Sequence, residues 1–325
     1  MTLSIPTYDN VEQAAQRIHG HANHTPLLTS DRLDALTGAN ILLKPECLQL
    51  TGSFKFRGAY NTLSSLSSED RARGIIAASS GNHAQGVAEA ARLFGVAATI
   101  LMPDDAPAIK IERTRRSGAE VVFYNRATGD REQSLVDLVE ERGGVMVHPY
   151  NHFEVIAGQG TVGREIALDA LKAGKSIDRL LVCTGGGGLT AGVTLAIKHH
   201  FPEAKIHGVE PEGFDDYKRS LEAGNIIANE QTAGSICDAI LTPAPGEIGF
   251  EISRDVLDKV LVISDEEALA AVRFAYNELK LVVEPGGAAA LAGLLQAGEI
   301  WQGETIAIVI SGGNVDPDLF ARIIS

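Results

Sequence analysis

Cysteine is scarce in this chain of 325 residues: Cys47, Cys183 and Cys237 are odd in number, far apart and form no C-x-x-C pair. Their pattern excludes a disulfide framework and a cysteine-built zinc site, and it fits a reducing, cytoplasmic compartment. Basic charge is also short, with 28 lysines and arginines against 42 acidic residues and a formal net charge of -14. Such a surface repels phosphate backbones and anionic lipid, so neither nucleic acid nor a membrane is an expected partner. The first ten residues lack a basic stretch followed by an apolar one, and no secretory signal is expected. The long uncharged run from Leu180 to Ile197 holds five glycines and three threonines, and reads as strand, turn and helix instead of a membrane span. What is present is an ordinary globular composition, 45% hydrophobic and 22% charged, with 34 glycines for close backbone approaches. The length suits one large domain or two intimately joined ones.

Short β-branched runs alternate with amphipathic stretches that begin after Ser, Asn, Gly or Pro, which is the pattern of parallel βα units. The strands predicted are Ile75–Ser79, Ala97–Met102, Glu120–Phe123, Val145–Val147, Arg179–Cys183, Lys205–Glu210, Lys259–Ile263 and Thr305–Ile310. Helices are predicted between them, among others over Ala84–Phe94, Ala108–Ser117, Arg131–Glu141, Val155–Ala173, Thr190–Phe201, Asp265–Leu279 and Ala288–Ala297. The fold class expected is α/β, with mostly parallel open sheets covered by helices on both faces. No linker or repeat marks a boundary. Grouping the units gives a smaller domain over 50–147 and a larger one from 1–49 and 148–325, with a small-molecule cleft between them.

Four segments carry chemistry. In Thr51-Gly52-Ser53-Phe54-Lys55-Phe56-Arg57-Gly58-Ala59 a lysine stands between two phenylalanines at the start of a helix. Desolvation there favours the neutral amine needed for a Schiff base, although an isolated lysine would ordinarily be a solvated one. Cys183-Thr184-Gly185-Gly186-Gly187-Gly188-Leu189 follows an apolar strand and opens a helix. Four residues without side chains let backbone N–H groups converge on an anion such as phosphate, whereas a plain turn would need only two. Ser79-Ser80-Gly81-Asn82-His83-Ala84-Gln85-Gly86 places hydroxyls, an amide and helix-start N–H groups in a cradle suited to a carboxylate. Ser311-Gly312-Gly313-Asn314 follows the last strand, where a serine offers a neutral hydrogen bond and an aspartate would instead keep a pyridine nitrogen protonated.

Gly158-Gln159-Gly160-Thr161-Val162-Gly163 matches the G-x-G-x-x-G dinucleotide fingerprint. No strand-like segment precedes it, and no acidic residue closes the next strand about 20 residues on. A nicotinamide-dependent oxidoreductase is therefore a remote alternative.

Together, Gly52 to Ala59, Ser79 to Gln85, Gly185 to Gly188 and Ser311 to Asn314 resemble, in order and over residues 25 to 316, the serine/threonine dehydratase and serine racemase family. The resemblance implies fold type II of the pyridoxal phosphate enzymes, the tryptophan-synthase-β-like fold, with two open twisted sheets. It further implies a cytoplasmic homodimer acting on a small amino acid. Lys55 would be the Schiff-base lysine, Phe54 would pack by the ring and Asn82 would contact its 3′ oxygen. Gly185, Gly186, Gly187, Gly188 and Leu189 would hold the phosphate, and Ser311 would face the ring nitrogen. Ser79, Asn82 and His83 would hold the substrate carboxylate. Glu210-Pro211 followed by Asp215-Asp216 resembles the divalent-cation site of the racemase branch, with Glu210, Asp216 and the Phe214 carbonyl as oxygen ligands for Mg²⁺ or Ca²⁺; an acidic, solvated helix start is the plainer alternative. One departure is Cys237-Asp238-Ala239, where the family commonly has Ala-Asp-Gly. No appended regulatory domain is expected after the last motif.

The activity implied is loss of water from a β-hydroxy amino acid to give a 2-oxo acid and ammonia, with Lys55 taking the α-proton. Serine or threonine ranks first as substrate, with serine racemase or threo-3-hydroxyaspartate dehydratase as the alternative. Ser80 stands where plain threonine dehydratases usually carry alanine. A hydroxyl opposite Lys55 would permit racemisation; a serine that merely caps backbone would not. Arg131 is a candidate for a second carboxylate, against the ordinary reading of a surface helix arginine.

Overall fold

The computed structural model describes residues 3–106, 108–125 and 131–325, except the side chains of 109 and 132. The strands in chain order are β1 (Leu28–Thr29), β2 (Asn40–Pro45), β3 (Ile75–Ala78), β4 (Ala98–Pro103), β5 (Glu120–Tyr124), β6 (Val145–Met146), β7 (Arg179–Cys183), β8 (Lys205–Pro211), β9 (Leu257–Ile263) and β10 (Thr305–Ile310). The helices are α1 (Tyr8–Ile18), α2 (Asp31–Thr37), α3 (Lys55–Ser65), α4 (Ser68–Ala72), α5 (Asn82–Phe94), α6 (Ala108–Arg116) and α7 (Arg131–Arg142). They continue with α8 (Phe153–Lys172), α9 (Gly188–His200), α10 (Asp216–Ala223), α11 (Glu247–Ser253), α12 (Asp265–Phe274), α13 (Ala289–Ala297) and α14 (Pro317–Ile324).

The strands form two sheets, in the orders β1-β2-β10-β7-β8-β9 and β5-β4-β3-β6. Every pairing is parallel except that of β1 with β2. Strands β7 and β10 are apolar runs buried almost end to end, as a sheet covered on both faces requires. The eight expected strands are all present with small shifts at their ends, while β1 and β2 add two that the alternation did not disclose. The helix expected over Asp265–Leu279 changes character at Phe274, where a π-helical turn, Ala275–Leu279, carries the chain to Lys280 in the left-handed region at φ 59.

The G-x-G-x-x-G match lies inside α8. Its glycines bring helices together: a Cβ on Gly158 would stand 2.7 Å from the Arg57 carbonyl oxygen, and one on Gly160 would stand 2.9 Å from that of Gly192. No strand-to-helix phosphate turn exists there.

One buried ion network ties α3 to the larger sheet. Arg57 donates Nε and Nη2 to the two oxygens of Glu46 at 2.7 and 2.8 Å, and Nη1 and Nη2 to those of Glu165 at 2.7 and 2.9 Å. Lys44 Nζ donates to Glu165 Oε2 at 2.6 Å and to the Thr25 carbonyl at 2.6 Å. Two buried cations thus meet two carboxylates with fork geometry, which offsets the desolvation cost that an unpaired charge would carry.

Candidate active site

Three of the four segments lie at the carboxyl ends of strands, where the chain leaves a parallel sheet and ligands gather. The fourth is stitched to them. Phe54 N donates to the Ser311 carbonyl at 3.2 Å, Gly313 N donates to that of Gly52 at 2.9 Å, and Ser53 forms an isolated bridge with Gly312. The loop before α3 is thereby zipped to the loop after β10, and Lys55 arrives beside Ser311.

A cleft with 470 Å³ of empty space, partly open to solvent, is lined by Phe54, Lys55, Asn82, Gly185, Gly186, Gly187, Gly188, Leu189 and Ser311. These residues, singled out in separate segments, share one cavity. Tyr150, Cys183, Thr190, Ala239, Ile240 and Thr242 also line it and were not foreseen.

Lys55 Nζ donates to the Pro149 carbonyl at 2.9 Å and lies 5.1 Å from the centre of the Phe54 ring. Among the described residues no carboxylate pairs with it, and burial pushes its ammonium down to about 8. The glycine turn is sterically obligatory. A Cβ would stand 2.7 Å from the Ile240 carbonyl oxygen at Gly185, 2.3 Å from the Tyr150 ring at Gly186, 2.4 Å from Tyr217 at Gly187 and 2.9 Å from Tyr150 at Gly188. Gly187 has φ 83, in the left-handed region. The N–H groups of Gly185 to Leu189, at and before the first turn of α9, have no intrahelical acceptors and remain available to an anion.

At β10, burial holds the Cys183 thiol protonated, up to about 11, and it donates to Ser311 Oγ at 3.1 Å. With that oxygen accepting, the serine's own proton is left for an acceptor in the cleft. Asn82 is gripped at both ends of its amide: Nδ2 donates to Glu284 Oε1 at 2.6 Å, and Oδ1 accepts from Asn314 Nδ2 at 2.7 Å. Burial raises the Glu284 carboxyl to about 7.

The Ser79–Gln85 segment differs from expectation in detail. The His83 imidazole is 2% exposed, its Nε2 is 2.9 Å from the Val147 carbonyl oxygen, and burial lowers it to about 3. The neutral ring is turned into the protein, and the backbone N–H of His83 lies in the first turn of α5. Ser79 Oγ accepts from Gly81 N at 3.1 Å, which makes Ser79, not Ser80, the serine that caps backbone. Ser80 is half-buried, its hydroxyl with no hydrogen-bond partner among the described residues. Arg131 opens α7 next to 126–130, which are outside the described residues.

Glu210 and Asp216 stand together at the start of α10. The two oxygens of Glu210 accept from the N–H groups of Tyr217 and Lys218, both at 2.9 Å, while Asp216 Oδ1 accepts from Asn229 at 2.6 Å. Asp216 Oδ2 is buried and has no partner among the described residues. Burial raises both acids, Asp216 to about 6 and Glu210 well above the usual range. Phe214 is buried, its N–H donating to the Pro211 carbonyl at 3.0 Å. Among the described residues no group of three or more His, Cys, Asp and Glu side chains gathers to hold a metal. Nor is any helix there long and apolar enough to cross a membrane.

Residues 18–312 match the family described as pyridoxal-phosphate dependent enzyme. The chain belongs to that family. Within it, the chain is 43% identical to L-threo-3-hydroxyaspartate ammonia-lyase of Pseudomonas sp over 322 residues, 99% of each. It is 44% identical to the protein of the same name from Saccharomyces cerevisiae, over 99% of this chain and 98% of that one. The crystal structure of the T.th. threonine deaminase superposes with a TM-score of 0.90 at 43% identity, covering 96% of this chain and 99% of the other. The fold is therefore that of the fold type II pyridoxal phosphate enzymes, and the chain is an ammonia-lyase family enzyme. Its cleft fits the family's cofactor: a buried amine and a turn of N–H groups without side chains, packed so tightly against Tyr150, Tyr217 and Ile240 that a Cβ would collide, are what an aldehyde bearing a phosphate requires.

Proposed function

We propose that this protein is an ammonia-lyase that eliminates water from L-threo-3-hydroxyaspartate, the resulting enamine then being hydrolysed by water, through its imine, to a 2-oxo dicarboxylic acid and ammonia. The likeness to two ammonia-lyases of that name, over 99% of the chain, supports this substrate above serine or threonine, which rank first on sequence grounds. The observation that carries the chemistry is Lys55, buried and, among the described residues, without a counter-charge in the cleft that the Gly185–Gly188 cradle lines.

Bound there, pyridoxal phosphate supplies an electron sink for the charge left on the substrate's Cα. Gly185 to Gly188 and Leu189 would hold its phosphate by backbone N–H groups, Phe54 would pack beside its ring, Asn82 would reach its 3′ oxygen, and the Ser311 hydroxyl would donate to its ring nitrogen. Ser79, Asn82 and the N–H groups of the first turn of α5, His83 among them, hold the substrate's α-carboxylate. Lys55, with its ammonium disfavoured by burial, takes the proton from Cα. The partnerless Ser80 hydroxyl favours a second reading, in which it returns a proton and racemisation accompanies elimination.

The test is a substrate panel of the 3-hydroxyaspartate isomers, L-threonine, and L- and D-serine, assayed for 2-oxo acid, ammonia and enantiomer exchange. We expect kcat/KM for L-threo-3-hydroxyaspartate to exceed that for L-serine and L-threonine by about tenfold or more, and Lys55→Ala to reduce every rate by about a thousandfold. A preference for serine or threonine sinks the substrate assignment. Activity surviving in Lys55→Ala sinks the mechanism. Loss of racemisation with elimination retained in Ser80→Ala supports the second reading, and equal loss of both counts against it.

A further inference from the structure

A dicarboxylic substrate poses a problem that the cleft lining does not solve. Among the described residues that line it, Lys55 is the only basic side chain, and the chemistry occupies it. Two acids stand close by: Glu284 beneath Asn82, and Asp238, the residue before the lining residues Ala239 and Ile240. A second carboxylate entering here meets like charge, and without a cation it would lose its hydration uncompensated.

A cation of the smaller-sheet side lies next to this rim. Lys110 lies on α6, and its Nζ forms an ion pair with Asp238 Oδ2 on the larger-sheet side, in the 3-10 turn Asp238–Ile240. The pair therefore joins α6 to the turn that carries two of the cleft's lining residues, Ala239 and Ile240. Its members are unequal: the Lys110 side chain is 23% exposed and that of Asp238 54%. Asp238 can swing into water at little cost, as exposed ion pairs contribute little, whereas Lys110 is more nearly fixed. Both lie near enough to act on Glu284, whose carboxyl Asp238 raises and Lys110 lowers.

We propose that Lys110 determines specificity for dicarboxylic substrates: the substrate's β-carboxylate replaces Asp238 on the Lys110 ammonium. The exchange substitutes one carboxylate for another, so the local charge balance is kept and only Asp238 returns to solvent. A monocarboxylic substrate such as serine leaves the Lys110–Asp238 pair in place. The inference rests on the hydroxyaspartate reading above.

The test measures kcat/KM for L-threo-3-hydroxyaspartate and for L-serine in the same preparations of cofactor-loaded wild type, Lys110→Met, Lys110→Arg, Asp238→Asn and Arg131→Met. The hydroxyaspartate-to-serine ratio is unaffected by partial misfolding. Lys110→Met should lower it about 30-fold, chiefly through KM, as for loss of one charge-assisted bond, and Lys110→Arg should restore most of it. Asp238→Asn should lower KM for hydroxyaspartate, since it removes the competing carboxylate. A ratio unchanged within about threefold in Lys110→Met overturns the proposal. So does a loss confined to Arg131→Met, which would assign the β-carboxylate to that arginine. A wild type that does not prefer hydroxyaspartate overturns the substrate reading and this inference together, whereas a preference that survives Lys110→Met overturns the inference alone.

Discussion

Glu284 is a carboxyl that folding keeps from water, 5% exposed, with the Asn82 amide on one oxygen. Burial raises it from 4.5 to about 7, so between those pH values the folded chain keeps a proton that the unfolded chain has released. Stability from this group is therefore present below about pH 4.5 and is lost as pH rises to 7. At about 1.4 kcal/mol for each pH unit of displacement, the loss is about 3 kcal/mol. Glu284→Gln keeps an acceptor for Asn82 without the titration. Urea unfolding from about pH 4.5 to 8 should show a shallower decline for the variant than for wild type, and parallel curves would refute the assignment. An acid after the apolar run Leu281–Val283 was a legible sign of a buried polar group, since lone carboxylates in such runs are seldom accidental. Tyr150 and Thr242 gave no such sign, because loop residues reach a cleft through tertiary packing that local pattern does not encode.

Among the elements, α8 and α9 approach so closely that their contact is made of backbone. A Cβ on Gly192 would stand 2.5 Å from the Ile156 carbonyl oxygen and 2.6 Å from Gly160 N. Gly192→Ala must push the two helices apart, at an expected cost of about 1–3 kcal/mol. Because α9 begins at the glycine cradle, the same substitution should also weaken cofactor binding. Thermal unfolding and a pyridoxal phosphate titration measure both effects, and a variant as stable as wild type would contradict the packing described. This contact explains why a fingerprint-like glycine spacing arose without a nucleotide site. Strand β2 escaped notice for a related reason. Its sequence, Asn-Ile-Leu-Leu-Lys-Pro, has only three consecutive apolar residues, and its lysine is buried solely because Glu165 waits on α8. Strands β3, β7 and β10 were legible because each is essentially an apolar run closed by a polar or glycine turn.

For the whole molecule, the expectation of a divalent cation is open to a direct experiment. Glu210 and Asp216 are both raised acids, Asp216 adds to the rise of Glu210, and Asp216 Oδ2 has no partner among the described residues, so a hard cation there would lower both. We expect Mg²⁺ or Ca²⁺ to raise the unfolding temperature, with a stabilisation of about 3 kcal/mol at a hundredfold excess over its dissociation constant, and Asp216→Asn to abolish the shift. An equal response in wild type and variant would place the ion elsewhere or nowhere. The four strands of the smaller sheet all fall between residues 75 and 146, yet the ion network crosses the proposed boundary at 50. Arg57 lies on one side, and Lys44, Glu46 and Glu165 on the other. A lobe taken from residue 50 would therefore be parted from its partners in that network. A graft taken from a relative at residue 50 would import its own guanidinium into a socket shaped by a foreign Glu46 and Glu165, whereas a seam after Ser65 would leave lysine, arginine and socket in the hands of one parent.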